Sequence, residues 1–106
     1  MPLFFTKKEM FEWLKIGKKT IDIRKGNSHR GEVAVFQSGP NVLRLKIVKK
    51  ETGRLTEVVR SDNYRLVLPS AMTLGDAVAY LRRLYGGYDG VFTAYYIVPL
   101  KSKAWA

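Results

Sequence analysis

From Thr20 to Arg24 the chain alternates, with Ile21 and Ile23 on one side and Thr20, Asp22 and Arg24 on the other. That period of two predicts a half-buried strand. Glu32 to Gln37 predicts a second strand, closed by Ser38-Gly39-Pro40. Val42 to Val48 is the clearest alternation, with Leu43, Leu45 and Ile47 inward and Arg44 and Lys46 outward. Glu51-Thr52-Gly53 reads as a turn, so residues 42–60 predict a hairpin that returns through Leu55 to Arg60, with a short strand expected at Tyr64 to Val67. Val91 to Val98 is a continuous apolar and aromatic run that predicts a buried strand.

Two segments follow the helical period instead. Thr6-Lys7-Lys8-Glu9 reads as a capping box, after which Met10, Trp13 and Leu14 share a face and Gly17 supplies the stop. Thr73-Leu74-Gly75-Asp76 repeats the cap logic after the break at Pro69-Ser70. Leu74, Ala77, Val78, Leu81 and Leu84 then form an apolar stripe that Gly86-Gly87 ends. The expected fold class is α+β: a small β-barrel of five or six mostly antiparallel strands with two helices. Closing the sheet would hide its edges.

Length changes the picture little. The 106 residues, 46% of them hydrophobic, predict one globular domain over 1–106. Charge changes it more. Nineteen Lys and Arg face nine Asp and Glu, a formal net charge of +10, which suggests a polyanionic partner. The charge is segregated: residues 15–30 carry six basic residues against one acid, and residues 44–60 six against two. The absence of cysteine excludes disulfides, thiolate catalysis and cysteine-ligated zinc, and fits a reducing cytoplasm. No segment approaches the length of a membrane span, and Met1-Pro2-Leu3-Phe4-Phe5 lacks the form of a signal peptide, so no membrane association is expected. The single histidine, His29, lies in a polar loop and reads as solvated; no metal and no cofactor are expected. The protein is expected to be a monomer or a weak dimer.

The run from Phe11 to Arg24, with Gly17-Lys18-Lys19-Thr20 between a helix and an alternating strand, resembles the signature of the ASCH family, a branch of the PUA-like β-barrel superfamily. The later order also matches: a strand near 32–37, Pro69-Ser70 before a helix with Leu81-Arg82-Arg83-Leu84-Tyr85, and Gly90 to Tyr96 as a closing strand. The resemblance spans roughly residues 5–100. It implies a barrel with a cleft beside the 20–24 strand and an RNA-binding or nucleic-acid-associated role. The Gly-Lys-Lys-Thr run is no Walker loop, because the spaced glycine is absent and a strand follows.

The expected function is therefore nucleic-acid binding, RNA before DNA, in a basic cleft at that strand. Lys18, Lys19, Arg24, Lys25 and Arg30 would meet phosphates, with Thr20 on the same strand face. Asp22 would repel phosphate, so it is expected to orient Lys19 or Arg24, or to accept a bond from a base or sugar. An internal Asp22–Arg24 or Asp22–Lys pair that only organises the surface is the structural alternative. Arg44, Lys46, Lys49, Lys50 and Arg54 form a second cationic group, which could equally be a solvated strand face. Tyr64, Tyr85, Tyr88, Tyr95 and Tyr96 are the candidate stacking groups, with Tyr88 preferred, while Phe11, Trp13, Phe36 and Phe92 are assigned to the core. Trp105 is either a packed anchor or a stacking group. The alternative function is a metal-independent ribonuclease, or an amidohydrolase-like enzyme using Lys19. For the amidohydrolases, the resemblance implies a lysine, a nucleophilic threonine and a glutamate. Lys19 matches the first, but Asp22 and Ser70 stand at the other two positions, leaving Thr20 or Ser70 as substitute hydroxyls.

Overall fold

The computed structural model describes residues 1–100. In chain order its elements are β1 (Leu3–Phe5), α1 (Lys8–Ile16), β2 (Ile21–Lys25), β3 (Val33–Ser38) and β4 (Asn41–Gly53). These are followed by the short helical turns α2 (Leu55–Val58) and α3 (Tyr64–Val67), then α4 (Leu74–Leu84) and β5 (Phe92–Pro99). The strands form one sheet in the order β1-β3-β4-β5-β2. Only the β1–β3 pair is parallel. The fold is α+β, a five-stranded, mostly antiparallel half-barrel with two main helices, as expected.

Both sheet faces carry a core because alternate residues face opposite ways. On the inner face, Phe4, Ala34, Phe36, Leu45, Ile47, Tyr95 and Ile97 close around Phe11 and Leu14 of α1. On the outer face of β2 and β5, Ile21, Ile23, Phe92 and Ala94 meet Leu55, Val58, Val67, Ala77 and Leu81 from α2, α3 and α4. Among the described residues, no helix covers the outer face of β1, β3 and the first half of β4, and Leu3, Phe5 and Val42 stay exposed there.

The expected hairpin over 42–60 does not form. β4 runs unbroken through Glu51-Thr52-Gly53 because those residues lie opposite Ala94, Thr93 and Phe92 of β5. The Thr52 and Thr93 hydroxyls pair at 3.2 Å, and Glu51 accepts the Tyr96 hydroxyl at 2.8 Å. Polar residues thus continue the ladder instead of turning it. β4 pairs with β3 up to Lys46 and with β5 from Leu45 onward, and an irregularity between Ile47 and Lys49 shifts the β5 register by one residue. The chain turns after Gly53, and residues 55–58 and 64–67 are helical turns, not strands.

The Thr6 capping box does not form either. Lys7 occupies the cap position of α1 without a side-chain bond, while the Thr6 hydroxyl donates to Phe4 O at 3.3 Å and accepts from Arg24. The β1 strand, absent from the sequence expectation, turns Thr6 toward the sheet. The second cap is as expected: Thr73 Oγ1 accepts from the Asp76 amide at 3.1 Å, and the Asp76 carboxylate accepts from the Thr73 amide. Gly17 ends α1 in the left-handed region at φ 82°. Among the described residues no helix is long and apolar enough to cross a membrane. Trp105 lies outside the described residues.

Candidate functional site

β1 and β2 are the two edges of the sheet, and no backbone pairing joins them. A cavity of about 250 Å³ opens beside β2, between the approach to α1, the end of α3 and one side of α4. Its charged residues are Lys19, Asp22 and Arg24, with Lys7 at the mouth. Met10, Tyr80, Leu84 and Tyr85 give it apolar and aromatic walls.

The helix stop places Lys19. Beyond Gly17 the chain doubles back, and the Lys19 amide donates to Trp13 O at 3.1 Å. Lys18 is left in solvent, while the Lys19 side chain turns inward and is 5% exposed. Its ammonium donates to Ile21 O at 2.7 Å and to Val67 O. Burial pulls Lys19 down to about 8; Asp22 opposes that shift and Arg24 adds to it.

Residues 20 and 26 bond to β5, through Ile97 N to Thr20 O and Gly26 N to Val91 O. The intervening odd residues therefore aim their backbone groups away from β5. The Ile21 and Ile23 carbonyls are taken by Lys19 and by the Tyr85 hydroxyl, the latter at 2.7 Å. Two side chains of the cavity thus satisfy the open edge of β2. Burial pushes the Tyr85 hydroxyl up to about 12, against the pull of Arg24.

Arg24 spans the seam between the edge strands. Its Nε donates to Asp22 Oδ2 at 2.5 Å, its Nη1 to Phe5 O at 2.9 Å, and its Nη2 to Thr6 Oγ1 at 3.2 Å and Asp22 Oδ1 at 3.4 Å. The guanidinium also lies 4.6 Å from the Phe4 ring centroid. Burial disfavours its charge, but Asp22 outweighs burial, and the net shift is upward. Asp22 orients Arg24, and the fork geometry is spent holding β1 to β2.

The other sequence candidates disperse. Lys25 is exposed with its Nζ 4.4 Å from the Tyr88 ring centroid, and Arg30 is exposed in the loop after β2. Tyr88 packs edge-on against Phe92 at 5.3 Å, outside the cavity. Gly90 leaves it room: a Cβ there would come 2.2 Å from the Tyr88 hydroxyl, and the ring would have to shift. Thr20 is half-buried, Ser70 is exposed, and neither lines the cavity. Arg44 and Lys46 project from the bare outer half of the sheet. The rest of the second group does not sit at a hairpin tip, since there is none. Lys49 pairs with Glu51, Lys50 caps His29 O and Arg54 meets Asp89.

Among the aromatic candidates, Tyr95 is fully buried and accepts the His29 amide, so it is core and not a stacking group. Tyr96 joins Glu51, Arg60 and Asn63 in a polar network, and Tyr64 packs on the outer core. Phe11, Phe36 and Phe92 are buried as expected, and Trp13 is half-buried. His29 is exposed, with its ring edge-on to Phe4 at 5.8 Å. Sequence reasoning missed Thr6, Lys7, Met10, Tyr80 and Arg83. Tyr80 and Leu84 stand four residues apart on the flank of the α4 stripe, a signal that the apolar face is wider than the core requires.

No protein-family model matches the chain, and no curated protein matches it. Solved structures share its fold, among them these two. One is the crystal structure of hypothetical protein PH0355, with a TM-score of 0.74 and 21% identity over 92% of this chain and 97% of that one. The other is the solution structure of protein PF0455 from Pyrococcus furiosus, with a TM-score of 0.62 and 21% identity over 95% and 98%.

Proposed function

We propose that the protein is an ASCH-type nucleic-acid-binding module, RNA favoured, whose cavity receives one unstacked nucleotide unit. The observation that carries this reading is the cavity itself: about 250 Å³, with cations and Asp22 on its floor and Tyr80, Tyr85 and Leu84 on its walls. A base needs apolar faces for its rings and polar groups for its edge. The phosphates of the strand meet the exposed cations Lys7 and Arg83, which share a shallow groove at the mouth. The surplus of ten positive charges favours such a partner. Lys19 and Arg24 act from beneath, Lys19 toward the base and Arg24 as the clasp that shapes the cavity.

The test is fluorescence anisotropy with labelled RNA and DNA across a salt series, with each product run on a denaturing gel. Affinity is expected to fall linearly in log–log form. The Lys7→Ala/Arg83→Ala variant should lower the slope by about 1.4, that is, about 0.7 for each phosphate left without its cation. The Arg44→Ala/Lys46→Ala variant, altered on the opposite part of the sheet, should leave it nearly unchanged. The reverse pattern would move the footprint to the bare sheet face, and shortened strands would promote the ribonuclease alternative.

A further inference from the structure

Lys19 has a geometry that nucleotide binding does not require. A neutral primary amine has two N–H bonds and one lone pair. Lys19 has two carbonyl acceptors, Ile21 O and Val67 O. They occupy both N–H bonds of the neutral amine and leave the lone pair in the remaining tetrahedral direction. The side chain borders the cavity and is 5% exposed, so the cavity is the side from which a ligand approaches it. The ionisable groups around it are Asp22 and Arg24 on β2, Tyr80 and Tyr85 from α4 and its end, and Lys7 at the mouth; α3 contributes only Val67 and Leu68. Burial lowers Lys19 to about 8, which leaves an appreciable neutral fraction near neutral pH. Lys7 and Arg83, both exposed, flank the entrance.

We propose that Lys19 captures an aldehyde carrying a phosphate as an imine, with the aldehyde carbon in the cavity and the phosphate between Lys7 and Arg83. The Nζ lone pair forms a bond to the carbonyl carbon. The carbonyl oxygen takes up, in turn, both protons of the amine. The C–O bond breaks, water leaves and C=N remains, with no change of oxidation state overall. The proposal rests on the cavity and not on nucleic-acid binding. Its ligand chemistry has two sources: a small phosphorylated aldehyde, or a strand whose base-free sugar has opened to its aldehyde.

The experiment exposes the folded protein to pyridoxal 5′-phosphate, or to an oligonucleotide with one abasic site, reduces each with borohydride and maps the labelled peptide by mass. Against the ordinary lysine value of about 10.4, an amine at about 8 has a neutral fraction at about pH 7.5 that is greater on the order of 100-fold, so Lys19 labelling should lead by at least about tenfold. Pyridoxal without its phosphate should react several-fold more slowly, and Lys7→Ala/Arg83→Ala should abolish that difference. Lys19→Arg keeps a cation and should lose the fast label, with circular dichroism showing that it folds. In the wild type, labelling spread evenly over exposed lysines overturns the proposal. Faster capture of the abasic strand than of pyridoxal phosphate assigns the nucleic-acid source, and the converse assigns the small aldehyde. Lys19 capture by a protein that binds no intact strand at low salt upholds this proposal and removes the nucleic-acid reading; strand binding without Lys19 capture does the opposite.

Discussion

Lys19 is the residue whose chemistry departs furthest from its ordinary state, and the departure has a sign. Its folded value, about 8, lies below the ordinary 10.5 because burial disfavours the ammonium. Below pH 8 both folded and unfolded chains bind this proton, and the folded state bears the full cost of the buried charge. Between about 8 and 10.5 the unfolded state binds more protons, so the Lys19 contribution to stability rises with pH across that window. Its full extent is on the order of 3 kcal/mol. Urea unfolding of wild type and Lys19→Met should therefore diverge with pH: the difference between them shifts toward wild type from pH 8 to 10 and is flat from pH 6 to 7.5. A flat difference throughout would mean that the two carbonyls keep Lys19 charged at its ordinary value. Tyr85 acts in the opposite sense above about pH 10, because its folded value is raised to about 12, so the comparison is read below that limit.

At the scale of elements, Arg24 does for β1 and β2 what backbone pairing does for the other strands. Arg24→Lys keeps the charge but loses the fork and its planar contact with Phe4, and should cost about 1–3 kcal/mol, discounted because the side chain is 21% exposed. Hydrogen exchange should localise the loss: amides of β1 and of Thr6 exchange faster, while those of β4 and β5 keep their protection. Uniform acceleration would mean that the clasp supports the whole sheet. Thr73→Ala removes a different support and should cost about 1 kcal/mol through the lost α4 cap. That cap was legible because it is local, with donor and acceptor three residues apart. The β2 alternation and the Gly17 stop were legible for the same reason. The hairpin was misread because Glu51 and Thr52 look like turn residues until Tyr96, Arg60 and Thr93 arrive from more distant positions to pair with them. β1 has three residues and was invisible without β3 beside it. In the site, Lys19, Asp22 and Arg24 were legible as a strand-edge cluster. Their mutual roles were not, since Phe5 O and Val67 O come from elements 19 and 48 residues away.

For the molecule as a whole, the proposed function would have the distribution of cations and the size of the cavity act on different parts of a nucleic acid. On that reading the exposed cations would give long-range attraction to any strand, weakening with salt. The cavity, at about 250 Å³, would take one unit. A unit inside a duplex must be unstacked and unpaired before it enters, at a cost of a few kcal/mol that a single strand or a bulge has already met. The proposed function therefore fixes an order of affinity at equal length and salt. Single-stranded RNA and a duplex with one bulged nucleotide should bind comparably, and a blunt, fully paired duplex about 10- to 100-fold more weakly. Tyr80→Ala, which removes an aromatic wall without touching the Arg24 clasp, should shrink that gap because stacking is worth about 1–3 kcal/mol per base. Its effect on the salt slope should be small, since no charge is removed. Equal binding of blunt and bulged duplexes, together with no effect of Tyr80→Ala, would leave the charge as the whole of the interaction and the cavity free for a small ligand.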